Sequence, residues 1–203
     1  MNLLKLLITP TPRLPKIDPQ TIEIQKNQEI QRLIEELKDS REGFRLRAAI
    51  DLSKFGSEAK LAIIPLANIA LKDSNEYVRH YARVALGNMG PEAKDALPIL
   101  IEALGNMDVT GNGDSFLLQN AADALGELRA EAKDALPALA KILKESTNWE
   151  VRREAAFALE RIGLANKETI TRLEEAQRRD LNAVVRYHSA RALEKIKFLN
   201  QNL

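Results

Sequence analysis

The side chains that most often carry out chemistry are sparse in this chain. It has 203 residues, with no cysteine and two histidines, His80 and His188. A thiolate nucleophile and a cysteine-ligated metal are therefore excluded, and two histidines are too few for a multi-histidine metal centre. The sequence also contains no glycine-rich phosphate loop and no nucleophile elbow. We expect no catalytic set, no cofactor and no bound metal.

One segment, Asp108–Ser115, places oxygen-bearing side chains at alternate positions. It has a glycine, Gly113, at the sixth position, as calcium-binding EF-hand loops do. Gln119 stands at the twelfth position, where such loops have a bidentate glutamate, and only two acidic ligands are present. The segment is interpreted as an enlarged turn, with calcium binding as the alternative.

The aromatic residues indicate a binding surface. All nine lie in or beside the second helices of the repeats described below, and five of them fall outside the apolar stripes of those helices. Tyrosine, tryptophan and arginine grouped together are typical of interface hot spots. The predicted partner-binding residues are Tyr77, His80, Tyr81, Arg83, Gln119, Trp149, Arg153, Phe157, Tyr187, His188 and Arg191. The alternative is that several of these rings pack between neighbouring repeats.

Charge and composition limit the classes of partner. Lys and Arg total 30 against 29 Asp and Glu, which argues against a general nucleic-acid binder. No apolar run reaches the ~18 residues that a membrane span needs. Apolar residues make up 45% of the chain, which is typical of globular proteins. We expect a cytoplasmic helical protein that binds another protein.

The elements that position these residues are repeats. A helical stripe of aliphatic and small residues begins at Phe44 and returns at Val78, Leu117, Val151 and Val185, with a spacing of 34 residues except for one of 39. A first helix precedes each stripe, opened in three units by Pro65, Pro98 or Pro137. Neither helix of a pair can bury its apolar stripe alone, so the pairs are expected to stack.

The fold predicted from these repeats is all-α, a right-handed α-solenoid of about five antiparallel helix pairs. The units are placed at about residues 28–64, 65–97, 98–136, 137–170 and 171–198, and the solenoid at 28–203. Residues 1–27 form a separate apolar and proline-rich arm, in which Leu3, Leu4, Leu7 and Ile8 are predicted to bind a partner. The alternatives are that the arm covers the open end of the first repeat or touches a membrane surface.

The repeated pattern, read at Val78-Arg79, Val151-Arg152 and Val185-Arg186, resembles HEAT repeats, particularly the short HEAT-like repeats of the phycobilisome-lyase type. In that family the second helices line the concave face, and an aspartate–arginine ladder fixes the stacking of successive repeats. The resemblance implies a ladder formed by Asp39, Arg45, Asp73, Arg79, Arg152, Asp180 and Arg186. Leu118 replaces the arginine in the third unit, so the ladder is expected to break there.

Three functions are compatible with this reading. The first is a non-enzymatic scaffold, adaptor or assembly factor that holds a partner protein in the groove lined by second helices. The second, implied by the resemblance to phycobilisome-lyase repeats, is a factor acting on bilin-carrying proteins. The third is HEAT-like nucleic-acid binding, which the acidic residues Glu154, Glu160 and Glu194 beside the groove arginines disfavour.

Overall fold

A computed structural model describes residues 18–105 and 115–201, and these residues form helices without any strand. The ten α-helices are α1 (Pro19–Glu36), α2 (Glu42–Phe55), α3 (Ile63–Lys72), α4 (Glu76–Met89), α5 (Leu97–Gly105), α6 (Ser115–Leu128), α7 (Leu136–Glu145), α8 (Trp149–Ile162), α9 (Lys167–Arg179) and α10 (Ala183–Gln201). The prediction of an all-α solenoid of five helix pairs is confirmed.

In the second, fourth and fifth pairs, an asparagine in the turn caps the second helix. The Asn75 side chain accepts hydrogen bonds from the backbone N–H groups of Tyr77 and Val78 at the start of α4. Asn148 and Asn182 do the same at α8 and α10. These bonds satisfy N–H groups that a helix start leaves without an intrahelical partner.

The pairs stack as two layers. Each even-numbered helix packs on the next, from α2 to α10, and the odd-numbered helices α3, α5, α7 and α9 form the other layer in the same way. The core between the layers repeats with the sequence, since Leu52, Leu86, Leu125 and Leu159 occupy equivalent positions and are fully buried. An alanine column beside them lets the second helices approach closely.

Successive pairs are joined by 3₁₀ segments, Gly56–Ala62, Gly90–Ala96 and Arg129–Ala135. The chain leaves the second helix with a positive φ at the first residue of each segment, +52° at Gly56 and +60° at Gly90. Arg129 stands at the same place with φ of +52° and is the one positive-φ residue other than glycine among those described. A side chain at such an angle is strained, and glycine is not.

Replacing Arg129 with glycine is expected to raise the free energy of unfolding by about 1 kcal/mol, because the backbone strain is removed. Urea denaturation followed by circular dichroism measures the change. The matched control is Gly90→Ala, where an added Cβ meets nothing within 4 Å. The Gly90→Ala variant should have a free energy of unfolding lower by about 1 kcal/mol, through backbone strain alone. A destabilised Arg129→Gly protein would contradict this account.

The start of the solenoid differs from the sequence-based boundary. Helix α1 begins at Pro19, so the limit between residues 27 and 28 falls inside a helix. Proline fits the first turn of a helix because the N–H that it lacks has no intrahelical partner there. The buried residues of α1 begin only at Ile30, which explains why apolar periodicity placed the start too late.

Candidate functional site

Two pairs of the predicted ladder residues join successive repeats. Arg45 of α2 contacts the carboxylate of Asp73 with Nε at 2.7 Å and Nη2 at 3.0 Å. Arg152 of α8 contacts Asp180 at the same two distances, 2.7 and 3.0 Å. The remaining Nη1 of Arg152 donates to the carbonyl oxygens of Ser146 and Thr147 just after α7. One guanidinium therefore ties its own helix pair together and bonds the next pair.

The other ladder residues are placed as follows. Nη1 of Arg79 donates to the carbonyls of Asp73 and Ser74, and Nη1 of Arg186 donates to those of Asp180 and Leu181. Asp39 instead bonds the nearby Arg41, whose side chain and backbone N–H hold the pKa of Asp39 down to about 2. The side chain of Leu118, where the ladder is expected to break, lies outside the described residues.

The aspartate of the last ladder pair is held in its charged form. Burial alone raises the pKa of Asp180, but the hydrogen bonds from Arg152 and from the Asn182 backbone outweigh it. The positive charges of Arg152 and Arg186 act in the same direction, so the pKa of Asp180 lies below its ordinary value. The pair is therefore ionised at neutral pH.

The exposed layer of second helices, called here the second-helix face, holds the eleven predicted partner-binding residues. Three of the predicted aromatic rings are open to solvent, with 68% of Tyr77, 40% of Trp149 and 55% of Tyr187 exposed. Tyr81 and Phe157 are half-buried, and Tyr81 packs against the core. His80 is exposed beside the Tyr81 ring.

Four of the predicted residues meet where α8 packs on α10. The carboxylate of Glu160 lies 2.7 Å from Nε of Arg191 and 2.9 Å from Nδ1 of His188. Arg191 also donates to the Tyr187 hydroxyl, and the His188 ring packs edge-on against Phe157. This network fixes the exposed Tyr187 on a rigid helix surface.

Three more of the predicted residues, Arg83, Gln119 and Arg153, meet where α4, α6 and α8 adjoin, around a cleft of ≈ 230 Å³. Arg83 forms an ion pair with Asp123, and Arg153 pairs with its neighbour Glu154. Gln119 lies beside Glu150, at 3.5 Å from its carboxylate. The second-helix face thus has two centres, the ring-bearing network of α8 and α10 and this polar cleft.

Sequence reasoning missed two acidic members of these centres, Asp123 and Glu160, as site residues. Asp123 stands where the equivalent residue of α4 is Val84, and Arg83 stands where the equivalent residues are alanines. The signal was therefore present in the alignment of the repeats with one another. The arm residues Leu3, Leu4, Leu7 and Ile8 and the turn 108–114 lie outside the described residues.

No group of three or more His, Cys, Asp or Glu side chains within the described stretches is arranged to hold a metal ion. Every helix described in 18–105 and 115–201 is too short or too polar to cross a lipid bilayer.

Comparisons with known proteins agree with this architecture. A family of HEAT repeats matches residues 30–111 and again 110–194. An engineered protein of known crystal structure is 25% identical, with a TM-score of 0.51, over 83% of this chain and 79% of its own. The complex of CpcE and CpcF of phycocyanin lyase from Nostoc sp. PCC7120 gives 23% identity and a TM-score of 0.55, over 82% of this chain and 99% of that one. No curated protein matches the sequence.

Proposed function

The chain belongs to the HEAT-repeat family, and on that premise we propose that it is a non-enzymatic scaffold that binds a partner protein on its second-helix face. Stacked repeats form extended surfaces whose curvature follows from the geometry of each repeat, and proteins of this architecture use those surfaces for binding. Aromatic rings and arginines contact the partner, and they lie on helices that are already ordered before the partner binds.

The observation that carries this proposal is the exposure of Tyr77, Trp149 and Tyr187 on one helix layer. Large aromatic side chains that remain exposed to solvent in a folded protein are typical of binding surfaces. Tyr, Trp and Arg are the residues most enriched among interface hot spots. Arg153 lies 5.7 Å from the centre of the Trp149 ring, and Arg191 lies 5.8 Å from that of Tyr187. Because these side chains are already held, binding loses little conformational entropy.

The polar groups of the face support binding more than catalysis. Glu160 is engaged by Arg191 and His188, and these contacts connect α8 to α10. The neighbours of His188 therefore occupy its ring. A general base, in contrast, needs a free path to its substrate. Around His188 the second-helix face therefore offers shape and hot-spot residues, with the charge of Glu160 already paired.

The test is a double variant, Trp149→Ala with Tyr187→Ala. A photo-crosslinking residue in place of the exposed His80 first captures the partner, which is then identified and purified. The double variant is expected to bind that partner about hundredfold more weakly, since each hot-spot ring contributes on the order of 2 kcal/mol or less when its neighbour is also lost. Affinity is measured by titration calorimetry, with circular dichroism to verify unchanged helix content.

The matched control is Leu61→Ala, which removes an apolar side chain of similar exposure, 57%, from the 3₁₀ segment Gly56–Ala62. It should leave the affinity unchanged. Equal binding by the double variant and the control would place the interface elsewhere. If the captured partner is a bilin-carrying protein, the scaffold acts in bilin attachment or removal.

A further inference from the structure

Arg83 occupies a position that is alanine in every other repeat. Its equivalents are Ala49, Ala122, Ala156 and Ala190. The residue is 8% exposed, so its guanidinium is almost completely withdrawn from water. Burying a charge in a place built for a methyl group is costly unless the charge is paired and hydrogen-bonded. Arg83 is therefore expected to need a charged partner and hydrogen-bond acceptors.

The contacts that Arg83 makes are incomplete. Its Nε lies 2.6 Å from a carboxylate oxygen of Asp123, but the N–H is buried and is not directed at that oxygen. Among residues 18–105 and 115–201, no acceptor forms a hydrogen bond with this buried Nε. Arg45, in contrast, has a two-point carboxylate contact and two backbone carbonyls. Arg83 has five N–H donors in a fixed fork, and among the described residues its ion-pair contact is with Asp123.

The cleft beside this guanidinium is small and polar. It measures ≈ 230 Å³, below the roughly 300–1,000 Å³ that pockets for small-molecule ligands and cofactors span. Its lining combines arginines, carboxylates and amides from three helices, namely Glu76, Arg79, Arg83, Gln119, Asn120, Asp123, Arg153 and Glu154. A cleft of this size fits a single inserted side chain.

The charges of the lining select the group that fits. Glu154 is engaged by Arg153, and the buried amide of Asn120 donates to the carbonyl oxygen of Leu71. The buried Nε–H of Arg83, in contrast, has no hydrogen-bond acceptor among the described residues. The planar fork of arginine matches the two oxygens of a carboxylate. The three acidic residues of the lining disfavour a doubly charged phosphate by repulsion.

We infer that this cleft is a receptor for one acidic side chain of the partner protein, whose carboxylate bonds the Arg83 guanidinium. The inference rests on the proposed function and adds the chemistry of the partner. The partner presents an aspartate or glutamate opposite the cleft while its apolar surface covers Trp149 and Tyr187. Arg83 would then have the two-point carboxylate contact that Arg45 and Arg152 already have.

The test uses peptides that carry one acidic side chain. Trp149 is the only tryptophan of the chain, and its ring contacts Arg153, which lines the cleft, so its fluorescence reports on the site. The probe is the blocked peptide Gly-Glu-Gly, compared with Gly-Gln-Gly and with inorganic phosphate. We expect a saturable change with the glutamate peptide, and binding about tenfold or more weaker for the glutamine peptide.

Arg83→Ala should weaken the glutamate peptide by about tenfold or more, because the charged hydrogen bonds are lost. Alanine at the four equivalent positions makes this variant compatible with the fold. The control for lost positive charge is Arg178→Ala, which changes an exposed arginine of α9 and should bind as the unchanged protein does.

Equal binding of the glutamate and glutamine peptides, or no effect of Arg83→Ala, overturns the inference. Tighter binding of phosphate than of the glutamate peptide also overturns it, because the site would then be one for free anions. The captured partner separates this failure from that of the proposed function. If it binds Arg83→Ala normally but not the Trp149 and Tyr187 double variant, the scaffold stands and the acidic side chain does not.

Discussion

Arg152→Ala is expected to lower the free energy of unfolding by about 3 kcal/mol, the effect of removing one partner from a buried ion pair. The Arg152 side chain is 13% exposed and that of Asp180 is 7% exposed, so water cannot replace the lost guanidinium. The substitution also removes the donor that satisfies the carbonyls of Ser146 and Thr147 after α7. Denaturation with urea, followed by circular dichroism, gives the value.

The control is Arg178→Ala, which breaks an ion pair of 4.0 Å between exposed side chains of one helix. It should cost at most about 0.5 kcal/mol, as exposed pairs on a helix do. Arg152→Lys retains the charge without the two-point fork and should fall between the two. If Arg152→Ala costs no more than Arg178→Ala, the ladder does not determine the stability of the stack.

The same pair sets a dependence on pH. Because the pKa of Asp180 is lower in the folded protein than its ordinary value, the pair stabilises the fold at pH above about 4. That contribution is lost as the pH falls through the folded pKa, where Asp180 takes up a proton. The difference between the natural protein and Arg152→Ala should therefore narrow below about pH 4 and stay constant from about pH 5 to 7.

Much of the fold followed from the sequence because each repeat carries the same local instructions. The apolar stripe recurs at a fixed place in every unit and the ladder arginine in four of the five, so one unit predicts much of the others. Arg129 shows the limit of this reasoning, because its positive φ is a property of the backbone that an arginine gives no reason to expect. Helix α1 likewise begins before the predicted limit at residues 27 and 28, because its first turns bury no residue that apolar periodicity would detect.

The candidate site was less predictable. Helical periodicity indicates which way a side chain points, but not what it meets on the next helix. Tyr81 is predicted from the sequence as a partner-binding residue, and in the structure its ring packs partly against the core. Asp123 and Glu160 belong to the site because they pair with residues on neighbouring helices. Asp123 pairs with Arg83, and Glu160 pairs with Arg191 and His188. Contacts between repeats depend on the stacking geometry, which a single sequence does not contain.

Leu125→Ala is expected to cost about 3–4 kcal/mol, within the range for truncating a fully buried leucine where the surroundings cannot collapse. Leu125 is 0% exposed in α6, which packs against α4 on one side and α8 on the other. Leu33→Ala is the matched change in α1, again from 0% exposure, and among the described residues α1 is followed by a helix pair on one side only. It should cost less, because fewer surrounding elements hold the cavity open.

The position of Leu125 also affects cooperativity. In a linear stack each repeat contacts only its neighbours, so weakening the middle unit uncouples the two halves. Trp149 fluorescence reports on α8 alone, whereas circular dichroism reports on all helices. For Leu125→Ala, the unfolding curves measured by fluorescence and by circular dichroism should separate. For Leu33→Ala, the two curves should coincide over the part of the transition in which the C-terminal helices unfold. Coincident curves and a loss below about 1 kcal/mol for Leu125→Ala would show that the stack does not depend on its centre.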